Sequence, residues 1–152
     1  MSMKKAPRCG VFLFKGYMSK IEVLMQAIEA ALKETTPAAD RVSRDIEKGY
    51  SFGEFPAIVL HQLRDVPLSG SPVGYEYRQL LVELEIQADG DEPHAACDGV
   101  LTAAHLALHD SLYSLQDLQQ GMIDWDYDEE NPALGVCRVQ YLLTYRRREG
   151  EM

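Results

Sequence analysis

The stretch YEYRQLLVELEIQADG, residues 75–90, constrains the fold more than any other part of the chain. Leu80, Val82, Leu84 and Ile86 occupy one parity, and Leu81, Glu83, Glu85 and Gln87 the other. Successive side chains of a strand point to opposite faces, so this period of two predicts one long strand with an apolar face and a charged face. A sheet built on such a strand must bury its apolar face under a second layer.

The remaining segments supply that layer and more strands. In GVCRVQYLLTYRRR, residues 135–148, Cys137, Val139, Tyr141, Leu143 and Tyr145 alternate with Val136, Arg138, Gln140, Leu142 and Thr144. ADRVSRDI reads as a short strand, and EFPAIVLHQL as an apolar strand entered through Pro56, since proline is tolerated at a strand's first position. QQGMIDWDYDEENPALG reads as a strand running into an acidic turn at Asn131-Pro132, whereas RDVPLSGSPVG, residues 64–74, reads as a loop.

Two segments are helical. Ser19 and Glu22 form an S-x-x-E capping box ahead of Ile21, Leu24, Met25, Ile28 and Leu32. Asp91 is the expected N-cap of the second helix, with Pro93 in its first turn and a stripe of Ala96, Val100, Ala104, Ala107 and Leu108 small enough to lie close to a sheet. The order predicts an α+β fold: a mostly antiparallel sheet of about five strands with two helices packed on one face. Residues 18–152 are expected to form one domain, and residues 1–17 an extension serving as an arm or an added strand.

A net charge of -9 excludes broad binding to nucleic acid, because phosphate contacts need a basic face. Cys9, Cys97 and Cys137 are odd in number and widely spaced, which suggests neither a disulfide framework nor a zinc knuckle and makes a reducing cytosol the default. The apolar stretch Val11 to Phe14 ends at Lys15, too short for a signal h-region or a membrane span.

Several residues invite a site. His94, Cys97, His105 and His109 lie on one side of the second helix, but about 22 Å of axial rise separates the first from the last, so only His105 and His109 can share an ion. They lack a third ligand and the glutamate of an H-E-x-x-H motif; a polar flank beside the apolar stripe is the plainer reading. Asp124, Asp126 and Asp128 have the opening spacing of a calcium loop, yet Glu129 and Gly135 stand where that loop requires glycine and glutamate. No G-x-S-x-G and no phosphate-cradling glycine pattern occurs. The polar strand faces carry more information: two helices cover one face of the sheet, which leaves Leu81, Leu142, Glu83, Glu85, Arg138 and Arg146 on the other, suited to pairing within the sheet or between subunits.

In order, ALKETTPAADRVSRD, EFPAIVL, YEYRQLLVELEIQADG, CDGVLTAAHLALHDSLYSL and CRVQYLLTYRRR resemble the tail terminator family of long-tailed phages, the minor tail protein U type, also called tail completion proteins. The resemblance spans residues 18–148 and includes the Arg41-Val42 pair; Gln116 and Asp117 replace an expected glycine, and residues 1–17 have no counterpart. It implies a structural, non-enzymatic protein without cofactors. Such a protein assembles as a ring of typically six copies on the tail tube protein, stops tube polymerisation and meets the head-side connector protein. It would reside in the host cytoplasm during assembly and then in the virion tail, with DNA only as passing cargo. Arg146, Arg147 and Arg148 of one copy are then expected to meet the acidic DWDYDEE segment of the next. A neck or head-completion protein of the same particle is the alternative, followed by a small metal-dependent hydrolase using His105 and His109.

Overall fold

The structure, a computed structural model, describes residues 18–44, 54–112 and 115–152. The expected arm or strand in residues 1–17 lies outside the described residues, as do the end of the ADRVSRDI strand and Tyr113 and Ser114. The elements are helix α1 (Lys20–Thr35), strands β1 (Val42–Arg44), β2 (Ala57–Pro67) and β3 (Tyr75–Asp89), helix α2 (Pro93–Ser111), and strands β4 (Asp117–Tyr127) and β5 (Leu134–Arg148). They form an α+β fold with one five-stranded sheet in the order β1-β2-β3-β5-β4. Every pairing is antiparallel except β1 with β2.

Ser19 starts α1 by accepting the Glu22 amide at 3.1 Å. Only that half of the capping box closes within the helix, because the Glu22 carboxylate turns to Arg44 of β1, with contacts of 2.7 and 3.1 Å. The helix ends where Thr36 donates its hydroxyl to Leu32 O at 2.6 Å, one residue ahead of Pro37. Arg41 then ties the chain to the start of β2, donating Nε to Pro56 O at 2.8 Å and accepting the Ile58 amide on its carbonyl at 3.0 Å. The Phe55–Pro56 peptide is cis.

Both helices lie on the sheet face that carries Ile58, Leu60, Leu80, Val82, Leu84, Ile86, Val139, Tyr141 and Leu143, and these residues form one buried cluster with Met25, Ile28, Leu32, Val100, Ala104 and Leu108. The first turn of helix α2 lies against Gly135 of β5, where an added Cβ would stand 2.9 Å from the Pro93 carbonyl carbon.

Two expectations are corrected. The loop expected over residues 64–74 is shorter, because β2 continues to Pro67 through a bulge between Gln62 and Arg64. The bulge turns out Leu63, 46% exposed, and restores the alternation so that Asp65 lies opposite Leu80 on the helix-side face. Positive φ angles at Gly70 (81°) and Gly74 (83°) then bracket the turn into β3. Second, the N-cap of α2 is Glu92, not Asp91, and makes no side-chain cap bond; Pro93 opens the helix instead.

Candidate subunit interface

Strands β3 and β5 pair over their whole length, from Tyr75 with Arg148 to Asp89 with Leu134. This register fixes the face of every candidate charge. Glu85 lies opposite Arg138, and Glu83 opposite Gln140, all on the face away from the helices. Arg138 donates Nε to Glu85 at 3.1 Å, and Gln140 donates Nε2 to Glu83 at 3.4 Å. The expected cross-strand pairing of Glu85 with Arg138 is thus made within one sheet. Leu81 and Leu142 stand opposite each other on the same face.

The arginine run does not form a single patch. Alternation sends Arg146 and Arg148 to the face away from the helices, and Arg147 to the helix side beside Tyr145. The Arg146 guanidinium lies 4.6 Å from the Tyr75 ring centroid, a cation–π contact. Arg147 donates Nε to Glu76 at 3.0 Å and keeps only 12% of its side-chain surface exposed. Glu76 also receives Arg78, which in turn reaches Asp65, and Asp65 accepts the Tyr145 hydroxyl at 2.9 Å. The guanidinium of Arg147, then that of Arg78, holds the Glu76 carboxyl below the usual carboxylate range, and burial pushes the Tyr145 phenol up to about 12. Sequence reasoning missed this network, although Glu76 and Arg78 share the parity of Leu80 and Val82, which marks them for the helix side.

At the other end of β5, the β4–β5 hairpin gathers carboxylates. Asp124 and Asp126 lie opposite Arg138 and Val136 and share their face. Arg138 reaches Asp126 only at 4.0 Å. The Asp128 carboxylate acts locally, accepting the amides of Glu130 and Asn131 at 3.1 and 2.9 Å and so folding the turn. A shallow concavity of about 330 Å³ opens here between Glu85, Gln87, Asp126, Tyr127, Glu129 and Arg138. A second, of about 300 Å³, lies at the far end of β5 among Lys20, Tyr75, Arg146, Arg147, Arg148 and Glu151.

The histidine flank of α2 proves to be the seam between that helix and the edge strand. His94 stacks on Tyr127 with centroids 4.2 Å apart, lies 5.6 Å from Trp125, and places Nε2 2.9 Å from Asp126 O. His105 holds Nδ1 2.9 Å from the buried Tyr141 hydroxyl, to which Gln120 of β4 donates at 3.4 Å. The Tyr141 hydroxyl can accept from Gln120 and donate to His105 Nδ1 at once, an arrangement that uses the neutral ring with its proton on Nε2. His109 lies edge-on to His105 with centroids 4.4 Å apart. Burial, then the neighbouring His109, lowers the His105 pKa. Among the described residues, no group of three or more His, Cys, Asp or Glu is placed to hold a metal. Cys97 and Cys137 are buried, and burial raises their thiols to about 11 and about 12.

No family model matches the chain, and no curated protein matches it. Among solved structures, the chain is similar to a chain in the virion of a native gene transfer agent (GTA) particle. The two are 12% identical, the likeness covers 82% of this chain and 95% of that one, and the TM-score is 0.55. Nearly the whole of that virion chain therefore shares the fold described here.

Proposed function

We propose that this protein is a structural, non-enzymatic virion component that caps a phage tail tube as a ring, stops tube polymerisation and presents a joining face to the head-side connector protein. The observation that carries the reading is the shared fold with a chain of a virion particle over 95% of that chain's length. The order of segments in the sequence, which resembles the tail terminator family, supplies the finer role. A ring of about six copies would dock one rim on the last ring of tail tube protein and leave the other for the connector. The net charge of -9 suits a lumen through which DNA passes, since like charge keeps phosphate from adhering. Assembly would take place in the host cytoplasm, with the virion tail as the final location.

The experiment is polymerisation of purified tail tube protein with and without this chain, read by tube length in negative stain and by mass from light scattering. A terminator shortens and caps tubes at substoichiometric ratios. Tubes of unchanged length with no bound ring would sink the reading. Binding to the connector without binding to tubes would move the protein to the neck, the alternative assignment.

A further inference from the structure

We propose that the two ends of β5 are the two halves of one contact between copies of this chain, Asp124, Asp126 and Glu129 of one copy receiving Arg146 and Arg148 of the next. The inference rests on the ring reading and adds the surfaces that close it. Both halves belong to the same face of the same sheet at opposite ends.

At the hairpin end, the carboxylates outnumber the available cation. Arg138 is committed to Glu85 at 3.1 Å and stands 4.0 Å from Asp126, whose side chain is 67% exposed. Asp128 is occupied by the turn amides, which leaves Asp124, Asp126 and Glu129 as outward charge, the last two lining the concavity. At the other end Arg146 lies against Tyr75 and Arg148 is exposed. Among the described residues neither is in an ion pair with a carboxylate, whereas Arg147 is withdrawn to Glu76. The fully exposed Val73 stands beside this end and, with Tyr75, gives it an apolar anchor.

Geometry selects a second copy. Eight residues of one strand separate Arg138 from Arg146, about 27 Å, so the two ends cannot meet within a chain. An isologous contact would set each acidic end on the other copy's basic end and close a dimer, whereas the ring reading needs a contact that propagates from copy to copy. A head-to-tail contact joins opposite signs at one junction and leaves the pair one free acidic and one free basic end, the condition for ring closure.

The test uses the full chain with charge reversals and light scattering plus negative stain, on tail tubes if the free protein needs them to assemble. R146E/R148E makes both ends acidic, and D124K/D126K/E129K makes both ends basic. Each variant alone should lose about tenfold or more of the assembled species. Mixing the two should restore it, since every junction of an alternating ring then pairs opposite signs; restoration also shows that both variants fold. Variants that assemble like wild type, or a mixture that stays unassembled, would overturn the contact and leave the ring reading standing. Wild-type protein that forms no ring, free or on tubes, would overturn both.

Discussion

Gly135→Ala tests the packing that positions the hairpin end of the sheet. The new Cβ would lie 2.9 Å from both the carbonyl carbon and the Cβ of Pro93, at the point where α2 begins. Ordinary contact begins near 3.4 Å, so either the first turn of α2 or β5 must move by about half an ångström or more. Neither can yield as a flexible side chain would, because the obstacle is backbone and the neighbouring Cys97 is fully buried, with Sγ 3.3 Å from Gly135 O. Overpacking of this kind costs about 1–3 kcal/mol. At about 2–4 °C per kcal/mol for a chain of this size, the melting temperature should fall by roughly 3–10 °C. The control is Gly99→Ala within α2, where an added Cβ meets nothing within 4 Å. Removing the helix cost of glycine there should stabilise by about 0.5–1 kcal/mol. Thermal melts followed by circular dichroism give both values. A Gly135→Ala protein as stable as wild type would refute the claim that α2 and β5 are in rigid contact.

Tyr141→Phe removes the hydroxyl shared by His105 and Gln120 and should cost about 1–2 kcal/mol in urea unfolding at pH 8. The folded state favours neutral His105, so its contribution is complete above the unfolded value of about 6.5 and is lost as pH falls below it towards the lowered folded value. His105→Gln should flatten stability between about pH 7 and pH 5 relative to wild type; an unchanged slope would count against the seam. Arg78→Leu leaves Asp65 without its cation, with only the Tyr145 hydroxyl named above still donating to it, frees one side of Glu76, and should destabilise by about 2 kcal/mol in the same urea assay. Cys97 and Cys137, with thiols raised to about 11 and about 12, should resist iodoacetamide at pH 8 in the native protein and react once urea unfolds it, as peptide mapping will show.

The α+β architecture is legible in the sequence because its two strongest signals are unambiguous: period two across β3 and β5, and helical spacing behind Ser19 and Pro93. Their burial patterns follow that parity, with Leu80, Val82, Leu84 and Ile86 inside and Leu81, Glu83 and Glu85 only partly covered. The extent of β2 is not legible, since RDVP has loop composition and only the bulge at Leu63 brings Asp65 back into register with the core face. The arginine run reads as one patch because adjacent residues are near in sequence; the strand separates them by face. His94, His105 and His109 do share one flank of α2 as their spacing predicts, but which strand that flank meets depends on β4 lying outside β5, a matter of topology that local sequence does not record.

The position of β5 has a consequence for the order of events during folding. This strand joins β3 to β4, pairing Tyr75 with Arg148 and Leu118 with Leu143. Until β5 has been synthesised, β3 keeps an unsatisfied edge and β4 has no neighbour. The β4–β5 hairpin closes over a short turn and can form locally, whereas zipping β5 onto β3 requires closure of a long loop that includes α2. The expected sequence is hairpin first, docking second, on the millisecond-to-second scale of non-local β pairing. A nascent chain halted before β5 would expose the edge of β3, a substrate for chaperones and a nucleus for aggregation.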